Sequence, residues 1–227
     1  MAYFKWAYDL SGNKTPQILE LPIATGTAIE FGEIVKFTPA TGVVAIGDAD
    51  QDDPYLGVAM EAHDGSTAGR QSGLLIKVSV SPTAVYKVKP RDTITATSGS
   101  TTTFVDSSLL PATDDYFNGG KLHLVAVAAD ATLNGKIVSI SDYTGSGGTL
   151  TLAETLSAVI ASGDTAYLCP GPGVITAFGW DLNAAGTDID WETSGGQSIQ
   201  IVNVDPETFH VYVLLRLHQF GNGPAAL

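Results

Sequence analysis

Short apolar runs, rich in Val, Ile, Thr and Tyr and each cut off by Gly, Pro, Asp or Ser, recur along the whole chain, and no stretch carries the i, i+3, i+4 spacing of an amphipathic helix. Side chains buried at every second position fit a pleated strand, whose residues point alternately to opposite faces. Strands are therefore predicted over 29–37, 43–46, 55–60, 74–80, 84–88, 93–97, 102–105, 121–127, 136–141, 149–152, 174–180, 199–204 and 209–217. Their spacing of about 8–15 residues suits sandwiches or barrels better than alternating strand–helix–strand units. Short helical turns are expected at 113–119, which has a Thr cap, two acids and a closing Gly, and at 205–208, where a simple turn fits as well. The stretch 152–160 reads equally as helix or as loop and strand. The alternating Cys169-Pro170-Gly171-Pro172-Gly173 excludes regular structure there.

The expected fold class is all-β: two small β-barrel or sandwich domains with short helical turns only. A length of 227 residues accommodates this. Residues 1–12 read as an N-terminal arm, 13–95 as a first β-barrel domain, and 96–227 as a second β-domain with a possible sub-boundary near 169–173. The division follows the charge. Residues 1–91 hold eight Lys and Arg against ten Asp and Glu, whereas 92–227 hold three against fourteen, which together give the net −13. Only 15% of residues are charged, against ~25% in ordinary soluble domains, and 44% are apolar, so the chain is neither disordered nor a solvated helical bundle. So acidic a chain lacks the clustered cations that grip phosphates, and no nucleic-acid partner is expected.

The first residues show no basic segment followed by an apolar one, and no window reaches the ~20 apolar residues of a membrane helix, so synthesis in the cytoplasm and no membrane partner are expected. Asn13-Lys14-Thr15 then matches a glycosylation acceptor by coincidence. The single Cys169 excludes an internal disulfide framework and a multi-cysteine zinc site.

Candidate chemistry is sparse. Asp48, Asp50 and Asp52 alternate as at the start of a calcium loop, but the sixth position is Asp53 instead of Gly and the twelfth is Ala59 instead of Glu. They are weak metal candidates, and a solvated acidic hairpin loop fits them better. Asp188, Asp190 and Glu192 would share one strand face, with neighbouring carboxylates ~7 Å apart, which suits a cation or an acid/base pair. A solvated strand face is the default reading. His63, His123, His210 and His218 have no ligand spacing, no Gly-x-Ser-x-Gly elbow exists, Gly145–Thr149 lacks the lysine of a phosphate loop, and Cys169 has no activating neighbour in sequence. No catalytic residue and no cofactor is expected, and the chain is read as no enzyme. Four aromatics near the start, Tyr3, Phe4, Trp6 and Tyr8, would be costly to expose. They pack either on the chain's own β-structure or on a partner, and are the partner-binding candidates.

Two groups of segments carry a family resemblance. Gly32-Glu33-Ile34-Val35-Lys36-Phe37, Gly42-Val43-Val44-Ala45, Tyr55-Leu56-Gly57-Val58-Ala59 and Gly73-Leu74-Leu75-Ile76-Lys77-Val78 resemble the small β-barrels of tailed-phage capsid decoration (head cement) proteins. Residues 101–106, Asp114-Asp115-Tyr116-Phe117-Asn118-Gly119-Gly120, the run from Asp142 to Leu152, and Gly163-Asp164-Thr165-Ala166-Tyr167 resemble a β-module frequent in phage structural proteins, including those of tails and fibres. The segments cover roughly two thirds of the chain. The resemblance implies a virion structural protein on the capsid exterior. It would bridge neighbouring subunits of the major capsid protein, act as a homotrimer, and turn its acidic half outward. A tail or fibre component is the second reading. A carbohydrate-binding β-sandwich using Trp180, Trp191 and a calcium-loaded acidic loop is the third, and a hydrolase built on Asp188, Asp190 and Glu192 the fourth.

Overall fold

The computed structural model describes residues 4–23, 26–38, 41–47, 55–64, 75–109, 113–174, 178–182, 187–191, 199–215, 217–218 and 221–222. Within these the fold is all-β, and the only helical pieces are 3-10 turns at Ala131–Leu133 and Pro172–Val174. The sheets are open ladders, none closed into a barrel, so the sandwich arrangement describes the molecule.

One sheet orders its strands Ile18–Pro22, Leu75–Ser79, Tyr55–Ala59, Leu217–His218 and Gly221–Asn222, with Ile34–Thr38 joining Val43–Ile46 to Tyr55–Ala59. Every residue of Tyr55–Ala59 is buried, as in a central strand covered on both faces. The expected strand over 29–37 is divided. Ala28–Ile29 pairs with His63–Asp64, a turn at Phe31 and Gly32 follows, and Ile34–Thr38 enters the large sheet.

A second sheet runs Thr93–Thr95, Thr165–Cys169, Lys121–Ala126, Ile137–Thr144, Thr149–Leu152, Thr103–Val105 and Ser98–Gly99. Its edge strands are separated in sequence only by Ala96 and Thr97, so the chain itself passes from one edge to the other. Alternation drives its packing. Leu122 and Leu124 face inward, as do Val138 and Ile140, and a bulge between Ile140 and Asp142 resets the phase so that Tyr143 is buried too. In place of the two expected helical turns, 114–119 and 206–209 form simple turns, and 153–160 beyond the Thr149–Leu152 strand is irregular. Cys169 ends a strand, with the 3-10 turn just beyond it.

The third sheet gathers distant parts of the chain: Lys5–Asp9, Ala84–Val88, His210–Leu215, Ile199–Asp205, Phe178–Leu182 and Ile189–Asp190. It takes strands from both sides of residue 95. Its inward residues Val88, Val211, Val213, Ile199 and Ile201 share one buried cluster with Ile34, Tyr55 and Val58 of the first sheet and with Phe104, Leu122 and Tyr143 of the second. A smaller cluster of Ile23, Ile29, Val35, Val44, Leu56, Ile76 and Val78 fills the first sheet's other face.

Candidate contact surface at the N-terminal strand

Residues 5–9 alternate Lys-Trp-Ala-Tyr-Asp and form the edge of the third sheet, antiparallel to Ala84–Val88, with Lys5 opposite Lys87 and Trp6 opposite Tyr86. A bulge between Trp6 and Tyr8 turns Tyr8 to solvent. Two anchors fix the strand. At its start the Phe4 N–H donates to the Gly32 carbonyl at 2.9 Å, and the Phe4 ring is buried in the main cluster. At its end Asp9 accepts from the Ser11 N–H at 2.8 Å and from the hydroxyls of Ser11 at 2.6 Å, Thr83 at 2.7 Å and Ser81 at 2.6 Å. Burial alone would push the Asp9 pKa up; the hydroxyls of Ser11, Ser81 and Thr83 and the Ser11 N–H outweigh it and bring it to about 2. The Leu10 N–H adds a bond to the Thr83 carbonyl at 3.0 Å.

The aromatic candidates thus divide. Phe4 belongs to the core, Trp6 is half-buried against it, and Tyr8 is 39% exposed with its ring 6.4 Å from that of Tyr212. Leu10, next along, is 53% exposed. Tyr3 lies outside the described residues, as do Asp48, Asp50 and Asp52 and also Glu192.

Asp188 is not on a solvated face. It is 2% exposed and accepts from the Ile189 N–H at 2.8 Å and the Arg91 N–H at 2.6 Å, tying the segment before the second sheet to the edge of the third. Burial raises its pKa to about 7, although the backbone donors pull it down; Asp92 nearby is raised to about 6 by burial and by Asp190. Sequence reading pairs Asp188 with its near neighbours; Asp92, the carboxylate it shares charge with, is remote in sequence and carries no local signal.

Trp191 is wholly buried, with its ring edge-to-face on Phe117 at 6.1 Å, and presents no face to a sugar. Trp180 lies on the Phe178–Leu182 strand. His123 packs edge-to-face on Tyr167 and Phe209, and His63 Nδ1 lies 3.4 Å from the Thr27 carbonyl. Cys169 is buried, and desolvation followed by the charge of Asp205 pushes its thiol up to about 12, far from a nucleophilic thiolate. Among the described residues no three His, Cys, Asp or Glu side chains are placed to hold a metal ion, and no helix is long and apolar enough to cross a membrane.

The residues that local reading misses are Ser81 and Thr83, which clasp Asp9, and Lys87, which meets Lys5 across the ladder. Only the strand pairing brings them together. No protein family, curated protein or solved structure matches the chain.

Proposed function

We propose that the chain is a virion structural protein that binds the assembled capsid of a tailed phage from outside and bridges neighbouring subunits of the major capsid protein. It acts there as a homotrimer without catalysis. The observation that carries this reading is the N-terminal strand: locked at both ends, it still leaves Tyr8 exposed on the sheet's edge strand and Leu10 exposed in the turn that follows it. Apolar groups on pre-ordered backbone dock with little further loss of conformational freedom. The segments from Gly32 to Val78 that resemble decoration proteins support the same reading. A protein that binds the closed lattice and not free subunits stabilises the shell by mass action.

Deletion of residues 1–9 would remove Phe4 and Asp9 with the contact groups and would test folding instead of binding. The direct experiment is co-sedimentation of Tyr8→Ser/Leu10→Ser and of the unsubstituted chain with assembled shells stripped of it. Binding by the unsubstituted chain, weakened at least about tenfold in the double variant, is expected. Equal binding by both, or none by either, overturns the reading. The carbohydrate-binding alternative is weakened by the burial of Trp191.

A further inference from the structure

In a chain of net −13, the outer face of the third sheet gathers lysines. Lys5 lies directly opposite Lys87, Lys87 opposite Tyr212, and Tyr212 opposite Asn203, so these side chains stand in one row across four strands. The next outward position after Lys87 is Lys89, just past the end of Ala84–Val88, and His210 stands two residues before Tyr212 on the neighbouring strand. Lys5 and Lys89 are exposed and Lys87, His210 and Tyr212 half-buried, whereas Val88, Val211 and Val213 between them are buried on the other face. Tyr8, turned to solvent by the bulge, has its ring 6.4 Å from that of Tyr212. His210 feels the charge of this face. Its pKa is held below the ordinary histidine value first by burial and then by Lys89, Lys87 and Lys5, against Asp205, which pulls the other way. Asp205, directly opposite His210, is engaged by the Thr208 hydroxyl at 2.6 Å.

Like charges directly opposite on a ladder destabilise it. Elsewhere Lys77, Lys121 and Lys136 each sit against a glutamate, at 3.5, 2.7 and 2.8 Å. Lys5, Lys87 and Lys89 have no such ion pair among the described residues. A lysine on an edge strand guards against edge-to-edge pairing, which accounts for Lys5. It does not account for Lys87, which sits on an inner strand between Lys5–Asp9 and His210–Leu215. The fold gains nothing from Lys87 facing Lys5, and a charge held against the stability of its own ladder points to a partner.

We propose that the face bearing Lys5, Lys87, Lys89, Tyr8 and Tyr212 docks on an acidic protein surface, a patch of exposed Asp and Glu side chains on the assembled capsid. The face is then part of the capsid contact proposed above, on which this assignment rests, and widens it from Tyr8 across the sheet. Charge complementarity sets the sign of the partner: lysines with no ion pair in their own chain attract carboxylates, steer the approach and penalise a basic surface. Tyr8 and Tyr212 favour a protein partner, because tyrosine is enriched where proteins meet. A long polyanion fits less well. The lysines would neutralise only about three phosphates, and the net −13 of the chain repels the rest of a duplex.

The test is co-sedimentation of the full chain with stripped shells at ~0.1 M salt, where charges act over ~10 Å, and at ~1 M, where they act over ~3 Å. The unsubstituted chain should bind at least about tenfold more weakly at the higher salt. Lys5→Gln/Lys87→Gln/Lys89→Gln should already bind at least about tenfold more weakly at ~0.1 M, and lose little more at ~1 M. Its melting temperature should be no lower than that of the unsubstituted chain, because the repulsion between Lys5 and Lys87 is gone. Lys14→Gln/Lys77→Gln/Lys136→Gln removes the same charge away from this face and should bind like the unsubstituted chain. Lys89→Glu alone, beyond the end of its strand, should weaken binding without touching the ladder. Shell binding indifferent to the lysines, an equal loss in the control variant, or a lower melting temperature of the first variant overturns this assignment and leaves the capsid reading standing. Tighter binding of the face to a DNA duplex than to shells does the same. No shell binding by the unsubstituted chain at ~0.1 M salt overturns both.

Discussion

At the scale of single residues, two carboxylates move stability in opposite directions with pH. Asp9 has a folded pKa of about 2, below its value in the unfolded chain, so its contribution is present above ~pH 4 and is lost as pH falls through the folded pKa. Replacing it by Ala removes the acceptor shared by the Ser11 N–H and the hydroxyls of Ser11, Ser81 and Thr83, and a loss of about 1–3 kcal/mol in urea unfolding at neutral pH is expected. Asp188 has its folded pKa raised to about 7. The folded protein then holds a proton that the unfolded chain releases, so this group's contribution is present below the unfolded pKa and lost as pH rises through about 7. Asp188→Asn keeps an acceptor for the Arg91 N–H and removes the charge. Its unfolding midpoint should exceed that of the unsubstituted chain at pH 8, with the difference shrinking toward pH 5; an equal midpoint at pH 8 would contradict the burial of the charge.

At the scale of elements, the strands that alternate cleanly were readable from the sequence and those that depend on remote partners were not. Ala84–Val88 and Thr149–Leu152 match their apolar runs residue for residue. Ile18–Pro22 does not show in the pattern because, as a sheet edge, it leaves Ile18 and Leu19 exposed and buries no alternate set. Lys5–Asp9 reads as an arm because its partner lies some eighty residues downstream, where Lys5 meets Lys87. The same distance explains why the aromatics of the candidate surface were visible and its lysines were not: a cluster of aromatics is local, whereas a cross-strand row exists only after pairing. Glycines mark two close approaches. Gly148, in the turn joining Ile137–Thr144 to Thr149–Leu152, has φ 61°, and a Cβ there would overlap the Asp106 carbonyl oxygen. Gly148→Ala should lose at least about 2 kcal/mol of stability, because the clash is with backbone and the left-handed conformation adds strain. At Gly57 a Cβ would meet the Ser79 carbonyl, and Gly57→Ala should separate Tyr55–Ala59 from Leu75–Ser79, read as faster amide exchange at Met60, whose N–H donates to the Lys77 carbonyl at 2.8 Å.

At the scale of the whole molecule, the all-β class followed from strand periodicity, while the arrangement of sheets did not. The charge boundary near residue 91 suggests two bodies, yet the third sheet draws Lys5–Asp9 and Ala84–Val88 together with His210–Leu215, and one buried cluster runs through all three large sheets. Charge patterning reports which surfaces face which neighbours, whereas sheet pairing is decided by apolar contacts between remote segments. The central claim is that this chain belongs to the outside of an assembled phage head. Cryo-EM combined with mass spectrometry of particles from the source, separated into heads and tails, tests it most directly. The account predicts this chain on the outer surface of the heads, at positions where capsid subunits meet; finding it only with tails, or with neither fraction, would contradict it.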